Sequence, residues 1–74
     1  MDYNVYGDYG YVTEQVLFES NSRNEAIRWA KNYTRRDLGG YAVIEVASFA
    51  KCGEYITHWA IQAEEEEGIL YDEM

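Results

Sequence analysis

Ser22-Arg23-Asn24-Glu25-Ala26-Ile27-Arg28-Trp29-Ala30-Lys31-Asn32-Tyr33-Thr34-Arg35-Arg36-Asp37 is the stretch whose periodicity decides the fold. Ala26, Trp29, Ala30 and Tyr33, with Ile27 beside them, recur at helical spacing and define one broad apolar face. Ser22 and Glu25 have the capping-box spacing, in which each side chain takes up a backbone N–H that the first turn leaves unpaired. Arg28, Lys31 and Arg35 line the opposite face. Gly39-Gly40, just past Leu38, is expected to end the helix, because glycine enters the left-handed region without steric cost. The pattern predicts one helix over 22–37, and the other elements are arranged around it.

Upstream, Tyr3, Val5 and Tyr6 begin a short strand that runs into the turn signal Gly7-Asp8-Tyr9-Gly10. Residues 12–19 alternate, with Val12, Glu14, Val16 and Phe18 on one side and Thr13, Gln15, Leu17 and Glu19 on the other, so Leu17 and Phe18 are expected to face apart. Ser20-Asn21 is a short loop that lays the helix back across the sheet. Downstream, 41–49 is rich in β-branched and aromatic residues and reads as a strand, with Glu45 keeping one of its faces partly wet. Ala50-Lys51-Cys52-Gly53 is a hairpin turn, and 54–62 returns antiparallel.

Two registers compete in that hairpin. A two-residue loop, Cys52-Gly53, sets Ile44 against Ile61 and Val46 against Trp59, gathers them with Tyr55 on one apolar face, and leaves Glu45, Ala47, His58 and Ala60 outside. Turn chemistry instead favours a three-residue loop, Lys51-Cys52-Gly53 with a bulge at Gly53, which shifts the partner strand by one residue and flips it. The sequence leaves both open. The expected fold class is α+β: a small antiparallel sheet of three to four strands in the order β-β-α-β-β, one helix packed on one face, and tyrosines shown to solvent on the other. Residues 1–63 form this single domain. Residues 64–74 open with four mutually repelling glutamates and are read as an acidic C-terminal tail.

At 74 residues there is room for one domain, and eight Tyr, two Trp and two Phe supply enough large side chains for a core without crosslinks. Cys52 is the single cysteine, so no internal disulfide forms, and no His or Cys cluster has metal-ligand spacing; no cofactor is expected. No apolar run reaches the roughly 18 to 20 residues of a bilayer span, and the N-terminus lacks a leader pattern, so the expected location is cytoplasmic and off the membrane. The net charge of −8 is unevenly placed. Residues 22–37 hold five of the six bases and two acids, a balance of +3, while the rest of the chain sets twelve acids against Lys51, a balance of −11. Charge divided in this way governs which partners approach.

The chain shows no catalytic set, and it is read as a non-enzyme. His58, the one imidazole, would need Cys52 or a serine within reach and an orienting carboxylate; Glu45 is its cross-strand neighbour in either register, but the expected state is a surface histidine on a strand. Cys52 beside Lys51 reads as a turn residue. The glycine pairs lack the strand-to-helix context of a phosphate cradle, and four consecutive glutamates lack the alternating ligand spacing of a calcium loop.

Two surfaces remain. In one reading Arg28, Lys31, Arg35 and Arg36 meet phosphates while free-face tyrosines stack on bases, as in a nucleic-acid-binding module; the −11 elsewhere opposes a polyanion. In the preferred reading Glu14, Glu19, Glu45, Glu54, Glu64, Glu65, Glu66 and Glu67, with exposed tyrosines, contact a host protein. The carboxylates then occupy a groove where a nucleic-acid-binding defence or transcription factor would hold phosphates. A homodimer through the open sheet edge or aromatic face is a third, structural, reading.

The order Tyr3, Val5, Tyr6, Gly7, then a strand ending Leu17-Phe18-Glu19-Ser20, then a capped helix through Asn24-Glu25-Ala26-Ile27-Arg28-Trp29-Ala30, then Gly39-Gly40 and a hairpin, resembles many short proteins encoded by bacteriophages and mobile elements. Some small anti-CRISPR proteins share this strand, helix, hairpin plan, and the likeness spans 12–62. It implies a host-takeover or counter-defence protein that acts by stoichiometric binding.

Overall fold

In the computed structural model, residues 2–8 and 15–71 are described. Strands β1 (Tyr3–Asp8) and β2 (Gln15–Ser20) precede helix α1 (Arg23–Tyr33), and β3 (Val43–Phe49), β4 (Tyr55–Gln62) and β5 (Ile69–Leu70) follow it. All pairings are antiparallel, in the spatial order β2-β1-β3-β4-β5. The class is α+β as expected, with five strands instead of three or four. The addition comes from the segment expected to be a tail, where Ile69 and Leu70 pair with Ala60 and Trp59. The turn leading there is tied by Glu65, whose N–H donates to the Gln62 carbonyl (3.0 Å) and whose carboxylate accepts from the Gln62 N–H (2.9 Å). Gly68 then lies close against the Trp59 indole, where a Cβ would collide with the ring.

The helix begins where the sequence places it. The Ser22 hydroxyl accepts from the Glu25 N–H (3.2 Å). The return half of the capping box is relayed through Ser20, whose hydroxyl donates to the Glu25 carboxylate and accepts from the Ser22 N–H (3.0 Å). The end differs from expectation. Thr34 is the C-cap, and both its N–H (3.0 Å) and its hydroxyl (2.9 Å) donate to the Ala30 carbonyl. A threonine hydroxyl that turns back on the preceding turn competes with helix propagation. Arg35, Arg36 and Asp37 therefore lie beyond the helix, and Gly39-Gly40 shapes the later turn, with the Gly39 N–H donating to the Asp37 carboxylate (2.7 Å).

The helix packs over β2, β1 and β3. Its Ala26, Ile27 and Ala30 meet Val5, Ile44, Val46, Trp59 and Ile61 in one core. Small residues at 26 and 30 let the helix backbone approach the sheet, as an apolar stripe against a pleated face requires. Phe18, Trp29 and Tyr33 stack in sequence, with centroid separations of 4.9 and 5.0 Å and nearly parallel planes, and close the helix onto β2.

Two bulges correct the expected alternation. Val5 pairs with Phe18 while Tyr6 pairs with Val16, so Leu17 is an extra residue. Leu17 and Phe18 consequently both pack against the core, and Val16 turns outward, half exposed. A bulge places two successive side chains opposite one partner residue, which simple alternation forbids. The second bulge resolves the hairpin. At its tip the loop is Lys51-Cys52-Gly53, closed by Ala50 N–H to Glu54 carbonyl (2.8 Å) and Gly53 N–H to Ala50 carbonyl (2.8 Å), with Gly53 at φ 88°. Phe49 faces Tyr55, and Ala47 faces Thr57. At its base Val46 faces Trp59 and Ile44 faces Ile61. Each register holds in one half, and His58 is the residue that absorbs the difference. The three-residue loop also moves Tyr55 to the face opposite Val46 and Trp59, against the two-residue expectation.

Candidate functional site

The structure offers two concentrations of polar and aromatic groups, one sealed under the helix and one open on the other side of the sheet. The sealed one surrounds the bulge. His58 is 1% exposed, not a surface residue as its place in a strand suggests. Its Nδ1 accepts from Arg23 Nε (3.3 Å), its Nε2 lies 2.8 Å from the Ser48 hydroxyl, and the Tyr3 ring meets it edge-on at 5.1 Å. Arg23 also donates Nη2 to the Tyr71 carbonyl (3.3 Å), and the Tyr71 N–H donates to the His58 carbonyl (2.9 Å). The start of the helix, the bulge and the end of β5 are thereby tied together.

A guanidinium only donates, so Nδ1 is the acceptor and a neutral imidazole carries its proton on Nε2. Nε2 then donates to Ser48 Oγ. That is the reverse of a nucleophile and its base, in which the imidazole must take the hydroxyl proton. Ser48 is fully buried as well, which closes it to a substrate. Glu45 is not the orienting carboxylate that its sequence position suggests. It pairs with Ala60 and accepts from the Thr57 hydroxyl (3.1 Å) on the face opposite His58. The bulge turned the histidine over, and the sequence signal for it was the conflict between the two registers.

The open concentration lies on the face away from the helix, where Tyr6 and Ala47 are buried and Val16, Phe49 and Tyr55 are exposed. Alternation puts Asn4, Tyr6 and Asp8 of β1 there, with Val16 and Glu19 of β2, Glu45, Ala47 and Phe49 of β3, and Tyr55 and Thr57 of β4. Tyr6, 9% exposed, leans across β3 so that its ring stands 6.1 Å from that of Tyr55, and its hydroxyl accepts from Asn4 Nδ2 (2.9 Å). Phe49 meets Tyr55 at 5.4 Å with planes 74° apart. Phe49 is 51% and Tyr55 38% exposed, so the group ends in a perpendicular pair of rings open to solvent. None of the five strands contains a lysine or arginine, and their three acids, Asp8, Glu19 and Glu45, all occupy this face.

The other candidate acids lie elsewhere. Glu14 is outside the described residues. Glu54 stands exposed at the hairpin tip. Residues 64–67 come round to the helix side, where Glu66 and Glu67 share an open groove of about 370 Å³ with Lys31, Thr34 and Arg35. The seven described glutamates are therefore distributed over three places. The candidate bases divide too: Arg28 and Lys31 are exposed on the helix, Arg35 and Arg36 in the bend after it, and Glu66 and Glu67 border the very groove that Lys31 and Arg35 line. Thr57, the partner of Glu45, was not singled out by sequence; it meets Glu45 only through the tip register.

Among the described residues no group of three or more His, Cys, Asp or Glu is placed to hold a metal ion, and no helix is long and apolar enough to cross a membrane. Cys52 is a free, exposed thiol in the hairpin turn. Comparison of the chain with protein-family models, with curated proteins and with solved structures finds no match.

Proposed function

We propose that this chain is a non-catalytic binding protein that meets a host protein with the open face of its sheet and acts as an inhibitor or modulator of that partner. The observation that carries the reading is the composition of this face: exposed Phe49, Tyr55 and Val16 beside Glu19 and Glu45, with no cation on any strand. Exposed rings grouped on a rigid sheet give a partner something to bury, and the surrounding carboxylates steer a basic surface toward them. Likeness in plan to small phage proteins makes a bacterial factor that handles nucleic acid the partner class to test first, since such factors present the cations an acidic face attracts.

The experiment is affinity capture from bacterial lysate at physiological salt with three baits: the wild type, Phe49→Ala/Tyr55→Ala, and Arg28→Ala/Lys31→Ala. The expected result is a protein retained by the wild type and the helix variant and lost by the ring variant. Retention by the ring variant and loss by the helix variant would transfer the function to the basic surface. A gel shift with duplex DNA at low salt would then test that surface directly.

A further inference from the structure

We propose that Glu45, Thr57, Tyr6, Tyr55 and Phe49 form a receptor for an arginine side chain of the partner; this rests on the open face being the working surface. Glu45 lies in the central strand, opposite Tyr6 on one side and Ala60 on the other. Its carboxylate is partly buried and oriented: Oε2 accepts from the Thr57 hydroxyl at 3.1 Å, while Oε1 has no partner among the described residues. A carboxylate held in one rotamer in this way presents its free lone pairs in a fixed direction, so little side-chain freedom is lost when a donor arrives.

The rings run away from it along the same face, beginning with Tyr6, which pairs with Glu45, and ending with Tyr55 and Phe49. Tyr55 is two residues from Thr57 on the same face of β4, a separation of about 6.8 Å along a strand. Tyr6, which pairs with Glu45, leans toward Tyr55, and Phe49 closes the row at a right angle. The site therefore offers a directed anion at one end of an aromatic strip.

Guanidinium fits both parts. It is planar, donates two parallel N–H groups to a carboxylate, and lies with its face on an aromatic ring. An ammonium answers the charge but has no plane to stack, and it holds its water more tightly. A divalent cation is poorly matched, because the site supplies one carboxylate. A phosphate is repelled by Glu45 and Glu19 on the same face.

The test is an NMR titration of the isotope-labelled 74-residue chain with N-acetyl-arginine-N-methylamide, and in parallel with the citrulline and lysine analogues. The arginine compound is expected to shift the amide signals of Glu45, Tyr55 and Thr57 saturably, and about tenfold more tightly than citrulline, the difference made by one charge-assisted contact. Glu45→Gln should abolish these shifts, Thr57→Val should weaken binding by about threefold through loss of one orienting bond, and Arg28→Ala should leave it unchanged.

Equal binding of citrulline or of the lysine analogue, shifts that survive Glu45→Gln, or no shifts at these residues would each overturn the proposal. If the arginine compound fails while Phe49→Ala/Tyr55→Ala still loses the captured protein, the open face stands and only its arginine chemistry falls. If the ring variant also keeps its partner, the surface itself falls.

Discussion

Residues 44, 45 and 46 are neighbours in one strand, yet they live in different media. Ile44 and Val46 are fully buried under the helix with Val5, while Glu45 is half-buried on the other side, against Tyr6 and Thr57. The same division runs through β1 and β4. It teaches that the sheet is a partition: side chains alternate across it, so the strand acids all emerge on one face, while the helix carries its bases above the other. The separation of charge along the sequence becomes a separation across the sheet for the strand acids alone; among the described residues Glu25 lies on the helix, Glu54 at the hairpin tip, and Glu66 and Glu67 on the helix side beside Lys31 and Arg35.

The most severe way to break this contrast is to hollow out the sealed side. Ile44→Ala removes a fully buried side chain from a core that includes Val5, Ile27 and Trp59, and is expected to cost about 3 kcal/mol. Glu45→Gln, one residue away, should stay within about 0.5 kcal/mol of wild type, since no buried contact is removed. Urea unfolding of the two variants checks both values. Equal losses would mean that the two faces are not the different environments described.

The sealed side holds one polar island, and it separates the faces more finely. Ser48→Ala removes the hydroxyl that meets His58 Nε2 in a place with no exposed surface, and is expected to cost about 2 kcal/mol, the loss of a buried hydrogen bond that water does not replace. Thr57→Val removes a comparable hydroxyl bond on the open face, where water takes its place, and should cost about 0.5 kcal/mol or less. Thermal melts of the pair measure the difference. A Ser48→Ala variant as stable as Thr57→Val would show that the bulge does not depend on the bond between Ser48 and His58.

Much of this plan was legible. Ser22 with Glu25 marked the start of the helix because capping is a local matter of three residues. Its end differs from the sequence signal because Gly39-Gly40 is also a local cue, whereas Thr34 ends the helix first through a hydroxyl that is equally compatible with continuing it. The strands were found, but their bulges were not. At Leu17 and at His58 the hydrophobic pattern fits only if one residue is skipped, and strict alternation has no place for it. Residues 41–62 are compatible with both hairpin registers, and turn chemistry prevails at the tip while burial prevails at the base. What sequence could not supply was the consequence: His58 turned inward to Arg23 and Ser48, and Thr57 set against Glu45 outside. β5 escaped notice because two residues carry no periodicity and the glutamates before them signal solvent.

The gentlest change sharpens the comparison most. Phe49 is an aromatic ring in a central strand, and by composition alone its removal would be expected to cost as much as that of any core residue. Its surroundings argue otherwise: half of it is exposed, and its ring contact is with Tyr55, which is itself exposed. Phe49→Ala should therefore change stability by about 0.5 kcal/mol, the cost of an exposed edge-to-face pair, while the captured partner is lost. A ring that contributes little to folding and much to association is what a binding face predicts. Were Phe49→Ala instead to destabilise the chain as strongly as Ile44→Ala, the open side would be a second core, and its aromatic rings would serve the fold and leave nothing to offer a partner.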